Sequence, residues 1–139
     1  MYAEKLKHFE NVENLGGKAW QHAVMCDFFN NSLITDCSIP CFHYQQLFEF
    51  LLKHILETRT QYGAYPDSNK LDKLLLQATK QTKMSVDYEK YTSSLITLTV
   101  CADLYHYDTY LSCATYQHII DSLNPLLDQL AEFSKPQQD

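Results

Sequence analysis

Glycine is scarce in this chain: three residues in 139, with four prolines beside them. A phosphate-cradling P-loop or a dinucleotide fingerprint needs clustered glycines, so both are excluded. Cations are few as well. Eleven Lys plus Arg against seventeen Asp plus Glu leave a formal charge of −6, and Arg59 is the single arginine. A surface that tracks a nucleic-acid backbone needs many cations together, which argues against sequence-independent nucleic-acid binding. Long apolar runs are also missing; no window reaches the ~18 consecutive apolar residues of a membrane span. The opening stretch from Met1 to Glu10 is too polar for a secretory hydrophobic region. Cysteine occurs at Cys26, Cys37, Cys41, Cys101 and Cys113, an odd and scattered set. With no signal sequence, these read as reduced thiols in a cytoplasmic protein.

What is present is the composition of one globular domain, 45% apolar and 20% charged. Nineteen Leu against four Val, with so little Gly and Pro, favours helices over half-buried strands. Residues 1–17 read as an N-terminal extension or short helix that Gly16 and Gly17 would end. Residues 18–133 read as the helical domain, and 134–139 as a flexible tail. Within the domain, a helix from Lys18 to about Leu33 would bury Ala19, Ala23 and Val24. Asp36 or Ser38 caps the next helix, which runs to Thr58 without an internal break and is apolar on most of its circumference. It should be the central one. After the loop from Gly63 to Ser68, a helix from Asn69 to about Lys83 carries Leu71, Leu74, Leu75 and Ala78 on one face. Another starts at Ser85–Asp87 and passes through Tyr91, Leu95, Leu98, Ala102 and Tyr105. A break falls near Asp108–Ser112. The last helix spans Cys113 to Phe133, with Pro125 expected to kink or split it. Four or five helices with short connections predict an all-α, up-and-down bundle.

The chemistry-bearing residues form no strong motif. Cys37, Cys41 and His43 fall close together, as do His22 and Cys26, but zinc sites usually show two tight ligand pairs, so no metal site is assigned. No elbow surrounds any cysteine, and Asp27 with Glu49 is the one carboxylate pair in apolar surroundings. Ten tyrosines stand out; Tyr105, Tyr107, Tyr110 and Tyr116 cluster near the start of the last helix. They suit a stacking platform, a protein interface or a packed surface. On the central helix His43, Gln46 and Lys53 share a broad stripe, and Glu49 precedes Lys53 by four residues, the favoured ion-pair order.

The stretch Phe42-His43-Tyr44-Gln45-Gln46-Leu47-Phe48-Glu49-Phe50-Leu51-Leu52-Lys53 resembles the hallmark helix of the HEPN family (higher eukaryotes and prokaryotes nucleotide-binding). That helix reads approximately F-H-x-Q-Q-A-x-E-K-x-L-K, matched here at Phe42, His43, Gln45, Gln46, Glu49, Leu52 and Lys53. Ala19/Trp20, Ala23 and Asp27 are similar to the family's A-x-x-D pattern. Tyr65-Pro66 followed by Leu71 and Leu74-Leu75 is similar to its P-x-x-H-x-L-x-x-L-L loop. In helix order the resemblance covers about residues 18–130, with only the Gln-Gln-x-x-Glu helix specific. Asn69-Lys70 replaces the loop histidine, and Tyr107-Asp108-Thr109-Tyr110 stands where the family has Arg-Tyr-Pro. The family's ribonuclease motif, an Arg and a His with four to six residues between them, is absent: Ala64, Tyr65 and Pro66 hold the histidine positions after Arg59.

The resemblance implies a HEPN-like bundle, cytoplasmic and homodimeric, that binds a nucleotide or substrate without catalysis beside a nucleotidyltransferase partner. It needs no cofactor. Its ligand site would comprise His43, Gln46, Glu49 and Lys53, with Asp27 and Tyr107 as neighbours. There Lys53 would meet a phosphate, and Gln46 would hydrogen-bond a base or ribose. The residues themselves allow a second reading, a buried polar network that fixes helix register. Two further functions stay open. One is a regulatory, toxin–antitoxin-like interaction subunit using the Tyr-rich face; the other is a divergent HEPN ribonuclease built on Arg59.

Overall fold

Six α-helices carry the computed structural model, which describes residues 1–60, 65–107 and 109–136. They are α1 (Tyr2–Lys5), α2 (Leu15–Asn30), α3 (Ser38–Arg59), α4 (Leu71–Gln81), α5 (Tyr88–Asp103) and α6 (Cys113–Phe133). Short 3-10 turns, Lys7–Phe9 and Leu104–Tyr107, follow α1 and α5. No strand occurs among the described residues, and the fold is an all-α bundle. No helix among them is long and apolar enough to cross a membrane. Gln61, Tyr62, Gly63, Ala64, Asp108 and the tail residues 137–139 lie outside the described residues.

Helix α3 is the axis. It packs against α2, α4, α5 and α6, and Tyr44, Leu47, Phe48, Leu51, Leu52, Ile55 and Leu56 are fully buried. The amphipathic face of α4 buries as its spacing predicts, at Leu71, Leu74, Leu75 and Ala78. In α5 the threonines lower helix propensity, but Thr92 and Thr99 donate their hydroxyls to the carbonyls of Tyr88 and Leu95. Helix α6 runs through Pro125 unbroken. Preceding it, Asn124 accepts hydrogen bonds from the hydroxyls of Tyr2 (3.0 Å) and Tyr44 (2.8 Å), tying α1 and α3 to α6.

Several expectations are corrected. Gly16 and Gly17 do not end a leading helix; they occupy the first turn of α2, where Asn14 accepts from the Gly17 N–H at 2.9 Å. A Cβ at Gly17 would collide with the Val12 carbonyl oxygen, so the glycine permits a close backbone approach. Val24 faces outward, and Cys26 completes the buried stripe with Ala19 and Ala23. The leading segment contains the short helix α1, and its Tyr2, Leu6 and Phe9 enter the common core. Tyr116 is buried, apart from the exposed Tyr105, Tyr107 and Tyr110.

The thiols are the largest correction. Cys37 and Cys113 form a disulfide across a separation of 76 residues, with Cα atoms 5.3 Å apart; Cys26, Cys41 and Cys101 are free. This removes the argument from reduced thiols for a cytoplasmic protein. The bond sits inside a polar knot: Asp36 accepts from the N–H groups of Ser38 (3.0 Å) and Leu111 (3.1 Å), and the Cys37 N–H donates to the Leu111 carbonyl at 2.8 Å. The knot holds the start of α3 against the start of α6. A bridge closing so long a loop removes about 4 kcal/mol of unfolded-state entropy in the chain-entropy model. Reduction with dithiothreitol, or Cys37→Ser with Cys113→Ser, should lower the urea midpoint accordingly, with helical circular dichroism retained in the absence of denaturant.

Candidate functional site

Gln45, Glu49 and Lys53 follow one another at i, i+4 and i+8, so they form a single row along α3. All three are buried, in a helix whose other buried residues are mostly apolar. The Lys53 ammonium donates to Glu49 Oε2 at 3.0 Å. Glu49 Oε1 accepts from Gln45 Nε2 at 3.1 Å, with Gln46 Nε2 at 3.5 Å beyond it. Gln46 Nε2 donates in turn to Gln45 Oε1 at 2.7 Å. The four side chains are one network.

The α3–α4 connection is drawn onto it. Gln45 Nε2 also donates to the Asn69 carbonyl at 3.2 Å, and the Lys53 ammonium lies 5.7 Å from the centre of the Tyr65 ring. Tyr65 is exposed, Gln46 half-buried and the ion pair lies beneath them, so the outer layer of the site is an aromatic ring and an amide. Removing one member of a buried pair strands the other's charge, whereas replacing both with apolar or neutral groups is often harmless.

Of the six residues expected to form the site, Gln46, Glu49 and Lys53 come together. His43, one turn earlier on α3, turns to a second cluster: its Nδ1 is 2.9 Å from Nδ1 of His22 on α2. One imidazole must donate and the other accept, so the pair needs at least one neutral ring. The His22 ring stacks on Phe50 with centroids 5.6 Å apart, and His43 on Phe29 at 6.0 Å. Burial, with His43 adding to it, holds His22 down at about 4; burial likewise lowers His43.

Asp27 belongs to neither cluster. Its carboxylate accepts from the N–H groups of Tyr2 (2.7 Å) and Ala3 (2.9 Å), capping the start of α1. Asp27 and Glu49 are thus held by separate partners, the first N–H groups of α1 and the Lys53 ammonium. Tyr107 stands 76% exposed at the end of the turn after α5. Its neighbour Tyr105, not Tyr107, stacks on α3, at 4.8 Å from Phe42. Gln45 and His22 were missed as members of these clusters. The four-residue spacing from Gln45 to Glu49 carried a signal; the His22–His43 contact across two helices did not.

Two measurements check this arrangement. Lys53→Met should cost about 3 kcal/mol in chemical denaturation, and adding Glu49→Gln should restore most of that loss. The second concerns pH. His22 is held neutral in the fold, with its pKa lowered from 6.5 to about 4, so across that window the unfolded chain binds more protons. Stability is complete above the upper value and falls as pH drops through the window. Thermal melts between pH 7 and 5 should show this fall, and His22→Gln should flatten it.

No family model matches this chain, no curated protein matches it, and no solved structure matches it.

Proposed function

We propose that this protein is a non-catalytic, HEPN-like helical module that binds a nucleotide or related substrate, as a homodimer working beside a nucleotidyltransferase. The observation that carries the reading is the convergence of Gln45, Gln46, Glu49 and Lys53 in one network under the Tyr65 ring. These are residues on which the resemblance rests. An ammonium for a phosphate, an amide for a base edge and a ring for stacking lie side by side. Ligand entry would draw the Lys53 ammonium from Glu49 to phosphate, so the buried Glu49 carboxylate, left with the Gln45 amide, would have to take up a proton as the anion enters. The divergent-ribonuclease reading is the weakest: Nη2 of Arg59 donates to the carbonyls of Phe133 (2.6 Å) and Lys135 (2.7 Å), binding it to the end of α6.

A second reading has its own observation. Phe28, Tyr107 and Tyr110 are more than half exposed, as a protein-docking, regulatory subunit without a small-molecule ligand would require. Calorimetry against a nucleotide panel, with light scattering for mass, separates the two. The first reading expects a nucleotide-specific stabilisation of about 2.7 kcal/mol at one hundred times Kd. The Glu49→Gln/Lys53→Met double variant should fold and lose that gain. A flat panel on well-folded protein overturns the ligand reading and leaves the docking one.

A further inference from the structure

Away from the α3 network, the ends of α3, α4 and α6 converge on two clefts that share Thr58 and Arg59. One, of about 560 Å³, is walled by the last residues of α3, by Lys80–Lys83 at the end of α4, and by Phe133. The other, of about 400 Å³, is walled by His8 and Phe9, by His54 and Arg59, and by Ser134–Pro136. On a protein of net charge −6, neither wall contains a carboxylate among the described residues. Each contains nitrogen groups instead: Lys80 and Lys83 on one side, His8, His54 and Lys135 on the other, with the only arginine between them.

Helix ends explain part of this charge. Three C-termini bring about −0.5 each, which cations at those positions offset. Four full positive charges, on Arg59, Lys80, Lys83 and Lys135, exceed that sum. Carboxylates act from outside these walls: Glu132 pairs with Lys135 at 2.8 Å, Glu57 acts on His54, and Glu4 and Asp128 line an adjoining cleft with His8 and Lys135. Two further observations mark a site without its counter-charge among the described residues. His54 is 7% exposed, and its buried Nδ1 has no hydrogen-bond partner among the described residues. The cations also work against one another: after burial, Lys135 and His54 hold His8 down, and Arg59 holds His54 down, against opposing pulls from Glu132 and Glu57.

We propose that the paired clefts bind a small polyphosphate, with Arg59 between two phosphate groups, Lys80 and Lys83 at one end, and Lys135, His8 and His54 at the other. The planar guanidinium fits this position, because only Nη2 serves the two carbonyls of the α6 end, and among the described residues Nε and Nη1 remain to donate. Lys135 would exchange Glu132 for phosphate, and the imidazoles would gain protons as the anion enters. The site is separate from the α3 network and does not rest on the function proposed above.

Inorganic tripolyphosphate is the probe, titrated calorimetrically at constant ionic strength so that screening cannot imitate binding. Saturable one-to-one binding is expected. The exposed-lysine pair Lys80→Ala/Lys83→Ala should weaken it about ten-fold, and Lys135→Ala with His8→Ala similarly, without loss of helicity. Lys70→Ala/Lys90→Ala, an equal charge change elsewhere, should leave it unchanged. An ATP arm identifies the source: tighter binding than tripolyphosphate means a nucleoside polyphosphate, and equal binding an inorganic one. Absence of saturable binding, or equal weakening by the Lys70/Lys90 pair, overturns the proposal. If only the Glu49→Gln/Lys53→Met variant abolishes binding, the anion sits on the α3 network; this inference then fails while the proposed function stands.

Discussion

The buried ion pair between Glu49 and Lys53 is the constraint around which this bundle is arranged. A helix enclosed by four others has no solvated face for polar side chains, and an unpaired buried charge costs several kcal/mol. Helix α3 resolves this internally, through the four-residue spacing of Gln45, Glu49 and Lys53. Because Gln45 also donates to the Asn69 carbonyl, the same network fixes where the chain enters α4. Helix register and loop position thus share one set of hydrogen bonds. A ligand at this point would act on both.

The remaining ties join parts of the chain distant in sequence. Asp27 caps α1, Asn124 collects the hydroxyls of Tyr2 and Tyr44, and Cys37 is bonded to Cys113. Each closes a long loop, but only the disulfide, being covalent, also limits the unfolded chain. Only four residues long, α1 could not persist alone. Tyr2, Leu6 and Phe9 hold it by burying their side chains, and Asp27 satisfies its first N–H groups. Apolar burial and capping act together there.

Charge is distributed to match. The acidic excess is spread over the chain, while cations gather where three helix C-termini meet, as the dipoles of those helices favour. Imidazoles collect in two places, His22 with His43 at the α2–α3 seam and His8 with His54 near the α6 end. Both groups are held below the ordinary histidine range by burial, with neighbouring positive charge contributing to His22, His8 and His54. Lowering the pH therefore loads both ends of α3 with charge that the fold disfavours.

Helix content, the centrality of α3 and the inward faces of α4 and α6 follow from periodicity, because a helix brings residues three and four apart onto one side. The Gln46, Glu49 and Lys53 grouping is legible for the same reason, since all three lie on one helix. Contacts between helices are not local, and no spacing rule reaches them. His22 meeting His43, Asp27 meeting the start of α1, and Cys37 meeting Cys113 each depend on how one helix is placed against another. The sequence alone determined that this chain buries a polar row along a central helix. Tertiary packing decided which residues close that row, which cysteines pair and where the cations assemble, because those outcomes depend on distances between segments that sequence separation does not encode.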